Sequence, residues 1–408
     1  MNIEASLYRS LVASLVGLAG VGCGDTSAPA PMSELSIAMP LGVECIDLAL
    51  NGEVADLLFA KSNGEEASTV YHTRSRDSGE GWTLPVRVDE AVQPLGGNHI
   101  HMWSGPQLAA HGDDLMALWT SRGDGFMGRG PLASSISTDG GLTWAAGTSP
   151  VVSADDGAQA FPDLVVDSSG VFHAIWLERR AGEEDKSLFY SHSDGVGRTW
   201  SVPMVADEAA CECCWNRLAI GPGGDLYALY RDINPRDMSI ATLKAGAKEW
   251  SWLGHTGAFD WDFNGCPHVG GGLLPLAGKE DQGLHTVVWT GKEDVAGVYY
   301  LRSLSDGEAW ASPSRVGNIN AVHADLAGSP GGILMMAWDS RGVILWSVSN
   351  DQGVSWSNQT VLTGAEEDSD TPAVVRFPGG FRVFWFTSDE GGSAVRSKWF
   401  SDKELSGA

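Results

Sequence analysis

A chain of 408 residues with 43% apolar and only 19% charged side chains has ample material for a buried core. Its 52 acidic residues against 26 basic ones leave a formal charge of −26. That excludes a general nucleic-acid binder, and it opposes a polyanionic substrate unless basic groups are gathered locally. High counts of Gly (52) and Trp (17) favour many short strands, tight turns and a repeated aromatic anchor.

In chain order, residues 1–23 come first. Arg9 precedes an apolar stretch from Leu11 to Val21, too short to cross a bilayer as a mature helix and of the length of an export signal. The run Leu18-Ala19-Gly20-Val21-Gly22-Cys23 resembles a bacterial lipobox, although Gly20 and Val21 depart from its usual residues. Cys23 is therefore the expected lipidation site, with plain signal cleavage as the alternative. Residues 24–36 read as a Ser/Ala/Pro/Gly tether and 37–402 as the folded body. The expectation is an exported chain on the periplasmic side of a bacterial membrane, held there by an N-terminal lipid anchor.

The body repeats. Ser75-Arg76-Asp77-Ser78-Gly79-Glu80-Gly81-Trp82 fits S-x-D-x-G-x-x-W, as do Ser137 through Trp144 and Ser349 through Trp356. Ser193 through Trp200 and Ser303 through Trp310 are degenerate copies with the Asp displaced by one. In such a turn Ser and Asp side chains bond local amides, Gly supplies positive φ, and Trp packs beneath. Alternating apolar strands ending in an aromatic also recur, at Phe59, Trp119, Trp176, Tyr230, Trp289, Trp338 and Trp385, spaced 47 to 60 residues apart. Seven anchors predict seven four-stranded units, an all-β, seven-bladed β-propeller. The last unit, Thr371 to Phe400, is one strand short, and residues near Ser36 to Met39 are expected to complete it and close the ring. The turns resemble the Asp-box, or BNR, repeats of sialidases and related propellers. Sialidases of this kind usually have six blades, so six is the alternative count. The repeat is structural and implies nothing about catalysis.

Aligned on the anchors, the innermost strands start at Cys45-Ile46, Gly105-Pro106, Phe161-Pro162, Cys214-Trp215, Cys266-Pro267, Val322-His323 and Thr371-Pro372. Equivalent inner-strand positions of a propeller form a ring at one mouth of the channel, so Cys45, Cys214 and Cys266 are expected to converge. Cys211 and Cys213 arrive on the loop of Cys214. His99, His101 and Met102 enter at the second blade, His268 at the fifth and His323 at the sixth. Two readings compete. Disulfides are the default for an exported chain. A thiolate–imidazole site for copper or zinc is the other, built from Cys45, Cys211, Cys213, Cys214, Cys266, His99 and His101. That second reading makes the chain a metal-binding or metal-delivery protein, or a metalloenzyme.

Basic residues follow the anchor strands: Lys61, Arg122, Arg179 with Arg180, Arg231, Lys292 and Arg341. Of these, Arg122, Arg179, Arg231 and Arg341 are candidates to bind a carboxylate or sulfate, against the alternative of pairing with local acids. The sialidase resemblance implies an Arg-Ile-Pro motif at the first inner strand. This chain reads Glu44-Cys45-Ile46-Asp47, with Cys45 where the first carboxylate-binding Arg would sit, so a working sialidase is not expected. Neither Tyr299 nor Tyr300 is assigned as a nucleophile. Seven-bladed propellers also include polysaccharide lyases, in which His and Tyr move a proton beside an Arg that neutralises a uronate; His99, His101, Tyr230 and Arg231 suit those roles. The Cys211-Glu212-Cys213-Cys214 run with Cys266-Pro267 resembles a group of exported bacterial proteins loosely labelled sialidase-like. A carbohydrate-active enzyme on an acidic glycan and a non-catalytic binding propeller thus stand as alternatives to the metal site.

Overall fold

A computed structural model describes residues 35–36 and 43–407, apart from 63–67, 96–104, 125–128, 152–158, 180–185, 195–196, 212–213, 266, 278–281, 304 and 390–391. Cys23, His99, His101, Met102, Arg180, Cys213 and Cys266 lie outside the described residues.

The described chain forms seven four-stranded antiparallel sheets, so the ring has seven blades rather than six. Each blade runs outward from an inner strand. The inner strands are Val43–Asn51, Gln107–His111, Ala160–Val166, Arg217–Ile220, Gly272–Ala277, Ala321–Gly328 and Ser369–Phe377. The expected anchors end the second strands, and Phe59, Trp119, Trp176, Tyr230, Trp338 and Trp385 are buried. They pack between neighbouring blades because a twisted four-stranded sheet has two apolar faces to cover. Phe59 of the first blade meets Phe384 and Phe386 of the seventh, so the ring is closed by packing as well as by pairing.

The short strand Leu35–Ser36 completes that closure. It pairs antiparallel with Gly392–Ser401, Leu35 opposite Ser397 and Ser36 opposite Arg396, as the outer strand of the seventh blade. The chain's start thus covers an edge its end would otherwise expose. Residues 37–39, also expected there, fall outside the described residues.

The turns form as their composition dictates. Ser75 Oγ accepts from the Gly79 amide at 2.9 Å and Asp77 Oδ1 from the Gly81 amide at 2.8 Å, while Trp82 Nε1 donates to the Gly79 carbonyl at 3.0 Å. Ser137 with Asp139 and Ser349 with Asp351 repeat the two amide contacts. In the degenerate copy, Ser305 stands in for the Asp by accepting from the Ala309 amide at 2.8 Å. That frees Asp306 to meet Tyr227 and Lys244 of the preceding blade. Among the described residues no helix is long and apolar enough to cross a membrane.

Candidate functional site

Strand register identifies which inner-strand residues share a level in the channel. In each blade one residue lies opposite the position just before the anchor aromatic. These are Asp47, Gln107, Asp163, Arg217, Asp325 and Ala373, opposite Leu58, Leu118, Ile175, Leu229, Ala337 and Phe384. Continuing the fifth blade's register past Gly272, which faces Val287, puts Gly271 at the seventh position. The ring therefore carries three carboxylates, one guanidinium and one carboxamide.

Each carboxylate binds the next blade. Asp47 Oδ2 accepts from the Leu108 amide at 2.6 Å, Asp325 Oδ2 from the Val374 amide at 2.8 Å, and Asp163 Oδ2 from the Leu218 amide. Burial pushes Asp163 up to about 7 and Asp47 up to about 6, the charge of Arg217 opposing both shifts. Asp325 is raised for the same reason.

Arg217 differs from its neighbours. It lines a channel cavity of about 300 Å³ together with Asp47, Gln107, Asp325, Phe161 and Trp215. Burial disfavours its charge, and Asp163, Asp325 and Asp47 restore it through space alone. Among the described residues its guanidinium makes no hydrogen bond or close ion pair. Five N–H donors in a fixed fork thus face a cavity with no protein acceptor on them.

Two residues earlier along the chain in each blade stand Cys45, Gly105, Phe161, Trp215, Val269, His323 and Thr371, of which Gly105, Trp215 and Val269 precede the strand proper. This corrects the sequence alignment in three blades: Trp215 replaces Cys214, His323 replaces Val322, and Val269 replaces Cys266. A slip of one residue in a strand turns the side chain to the other face. Cys45 accordingly lines the cavity, whereas Cys214 is buried with Ala160, Phe161 and Tyr230 between the third and fourth blades. Cys45 and Cys214 do not share a level of the channel. Phe161, His323 and Thr371 all have positive φ, of 53°, 45° and 48°. Each sits in a β-bulge that shifts its strand's register. Such bulges re-aim side chains at a rim.

Trp215 lies against the fifth blade's loop, where a Cβ on Gly270 would come within 2.9 Å of its Cβ and 3.0 Å of its indole Cε3. There it stacks on His323 of the sixth blade, ring centroids 5.8 Å apart. His323 Nδ1 bonds Asp339 Oδ1 at 2.8 Å, and the same oxygen accepts from the Thr371 amide at 3.2 Å. Burial opposes the charge of His323, but Asp339 and, behind it, Asp370 raise its pKa overall.

The cysteine loop is built differently. Arg231 Nη1 points at both Cys211 Sγ, at 3.4 Å, and Cys214 Sγ, at 3.9 Å, and Arg236 Nη1 lies 3.5 Å from Cys211 Sγ. Two guanidinium groups beside these sulfurs repel a metal cation. Among the described residues no group of three or more His, Cys, Asp or Glu side chains could hold a metal ion. Burial, with the charge of Glu44 next, pushes the Cys45 thiol up, so it stays protonated at neutral pH. Metal binding by copper or zinc would need thiolates instead.

The four candidate arginines are also separated in kind. Arg231 is buried: its Nε bonds the Arg236 carbonyl at 2.8 Å, its Nη1 the Gly265 carbonyl at 3.0 Å and its Nη2 the Phe263 carbonyl at 2.9 Å, while Trp261 stacks 4.3 Å away. It ties a loop down. Arg122, Arg179 and Arg341 are exposed, Arg341 meeting Asn320 at 3.2 Å. Arg217 and the carboxylate ring were not singled out from sequence. The signal was present: a charged residue stands 12 or 13 positions before the anchor in blades one, three, four and six.

No protein-family model matches the chain, and no curated protein matches it. Solved structures do. A polysaccharide lyase of family PL25, an ulvan lyase, aligns with TM-score 0.58 at 12% identity, over 92% of this chain and 98% of its own. The α-L-arabinofuranosidase arb93a of Fusarium graminearum aligns with TM-score 0.50 at 12% identity, over 89% and 94%. The intramolecular trans-sialidase of Ruminococcus gnavus aligns with TM-score 0.49 at 11% identity, over 89% and 95%. At such identities the likeness is one of fold: the chain is a seven-bladed β-propeller.

Proposed function

We infer that this propeller is carbohydrate-active and takes an acidic sugar of a glycan into the mouth of its central channel. The observation that carries the reading is Arg217, a half-buried guanidinium on a cavity of about 300 Å³ with no protein acceptor among the described residues. Pockets of that size suit one or two sugar units. A carboxylate or sulfate would satisfy the guanidinium fork bidentately in a setting where water competes poorly. Trp215 and Phe161 supply flat apolar walls for the faces of a sugar ring, and the ring carboxylates and Gln107 supply hydrogen-bonding groups. The ulvan lyase and the arabinofuranosidase of similar fold support carbohydrate as the class of substrate.

This local cation also answers the charge of −26. A net-negative surface repels polyanions, so an acidic glycan requires positive charge placed where the sugar binds. The copper or zinc reading is weaker at the described residues, because the sulfurs of Cys211 and Cys214 face guanidinium groups. The test is calorimetry with uronate-bearing and neutral oligosaccharides. Wild type is expected to bind the uronates, and Arg217→Gln to weaken that binding at least about 10-fold, the low end for a charged hydrogen-bonding pair. Equal binding by the variant sinks the assignment.

A further inference from the structure

We propose that the loop of residues 256–265 carries a second sugar site, a ledge made by Trp261 and Phe263, and that the ligand is a chain joining acidic units to neutral ones. The inference rests on the acidic-glycan reading above: the acidic unit occupies the channel and its neutral neighbour stacks on the ledge.

The ledge stands at the mouth where the inner strands start. Arg217 faces Leu229 across the fourth blade, so Arg231, two residues further along that strand, lies on the mouth side of it. Arg231 joins the two sites. Its Nη1 is 3.9 Å from the sulfur of Cys214, the residue before the cavity-lining Trp215, and its guanidinium carbon is 4.3 Å from the centre of the Trp261 ring. The stretch that follows Phe263 returns to Trp215 at Gly270. A chain leaving the cavity past Trp215 runs onto this loop.

The aromatic pair is both displayed and held. Trp261 and Phe263 are stacked, ring centroids 5.7 Å apart and planes 14° from parallel, and Trp289 braces Trp261 edge-on at 5.3 Å. Phe263 is nonetheless 50% exposed. Three charged side chains from elsewhere fix the backbone beneath. Arg231 holds the Phe263 and Gly265 carbonyls at 2.9 and 3.0 Å, and Lys292 holds those of Phe259 and Asp260 at 2.6 and 3.1 Å. Asp237 accepts from the Asp260 and Trp261 amides at 2.6 and 3.1 Å. Gly265 leaves room for the Phe263 ring, since a Cβ there would lie 2.3 Å from it. A loop so constrained presents its rings with little left to order on binding. A flat apolar ring open to water on one side suits the apolar face of a pyranose.

The charges beside the rings select the sugar. Arg231 and Lys292 are turned onto the carbonyls just named, and Asp237 is buried on the amides. Asp260, 88% open, and the exposed Asp262 face solvent next to the two rings, and Lys292 approaches the Asp260 carboxylate only to 3.8 Å. Carboxylates repel a uronate or sulfate and accept hydrogen bonds from hydroxyls. Channel and ledge therefore prefer opposite partners: the acid goes to Arg217 and an uncharged unit to Phe263.

The experiment uses the whole chain and calorimetry with two oligosaccharide series, from disaccharide to hexasaccharide: alternating glucuronate and N-acetylglucosamine, and galacturonate alone. For wild type, affinity is expected to rise about 3- to 10-fold with length in the alternating series, the worth of one well-stacked ring, and to stay flat in the galacturonate series. Phe263→Ala should abolish the rise while binding the disaccharide within about twofold of wild type, as separate sites act independently. Phe263→Tyr should keep the rise, and Arg217→Gln should weaken every length. Asp260→Asn with Asp262→Asn, both exposed and the first compatible with the φ of 57° at that position, should let the galacturonate series rise as well. That readout stands even if thermal melting shows Phe263→Ala to be unfolded. Three results overturn the ledge and leave the acidic-glycan reading intact: affinity independent of length in both series, a rise that survives in Phe263→Ala, and galacturonates gaining as much as the alternating chains on wild type. Wild type binding no member of either series overturns both.

Discussion

Two arginines of this propeller live in opposite circumstances. Arg74, in the first blade, is 3% exposed and bonds through four of its five N–H donors. Its Nε and Nη2 clasp Asp56 at 2.7 and 3.0 Å, Nη2 also reaches the Gly112 carbonyl at 3.0 Å, and Nη1 meets Asp113 of the second blade at 2.7 Å. His72 adds a 2.7 Å contact to the same Asp56 carboxylate. Arg217 has three carboxylates around it and a hydrogen bond to none. The first arrangement spends four of its five donors on tying its own blade to the next; the second leaves them for something that is not protein. Carboxylates nearby therefore do not by themselves mark an arginine as structural. What separates the two is whether acceptors are within bonding distance.

The largest expected effect comes from breaking the Arg74 site. Asp56→Ala would leave Arg74 and His72 buried without their shared partner, and loss of one member of a buried ion pair costs about 3–5 kcal/mol. Chemical denaturation should show a fall of that order. A loss under about 1 kcal/mol would mean that the network does not hold the blades together.

Arg217→Leu should be far milder at neutral pH, since no hydrogen bond is lost and the carboxylates can take up protons instead. Its signature lies in pH. Asp163 and Asp47 are raised in the folded chain to about 7 and about 6, above the 3.8 of a free Asp. The folded state therefore holds protons that the unfolded state releases. That contribution to stability is fully present below about pH 4 and is lost as pH rises through about 6 to 7. Because Arg217 opposes both shifts, Arg217→Leu should move this window to higher pH and steepen it. Denaturation midpoints followed from about pH 4 to about pH 8 give the comparison, and an unmoved window would show that Arg217 is electrostatically remote from the ring.

The smallest expected effect concerns the cysteine loop. With Arg231 and Arg236 pointing at Cys211, replacing Cys211 and Cys214 by Ser should not change the copper or zinc content of protein purified under reducing conditions. Element analysis of wild type and double variant decides this. Stoichiometric metal lost with the two sulfurs would restore the metal reading, with Cys213 and Cys266 as further ligands.

Much of the fold was written locally. The aromatic anchors number the blades because each ends an alternating apolar strand, six of the seven being buried there. The Ser, Asp and Gly of the turns make bonds within five residues, as Ser75 and Gly79 do. The missing strand of the seventh blade showed in the count before Leu35–Ser36 was seen to fill it. The turns and the anchor count rest on near neighbours in the chain, so the residues themselves determine them.

The site was decided by phase, which is not local. Bulges at Phe161, His323 and Thr371 insert a residue without altering composition, and the loop before the fifth inner strand, residues 256–271, is longer than any but the one before the second. Counting back from the anchors was right for Cys45, Gly105, Phe161 and Thr371, one residue off at Trp215 and His323, and three off at Val269. In a strand, where faces alternate, one residue is the whole difference between a side chain in the channel and one between blades. Cysteine identity suggested a ring of sulfurs; the register instead put an indole and an imidazole above an arginine. Only the assembled ring sets Arg217 beside three carboxylates from other blades and keeps it from bonding any of them, because that spacing is fixed by seven sheets packing together and not by any one of them.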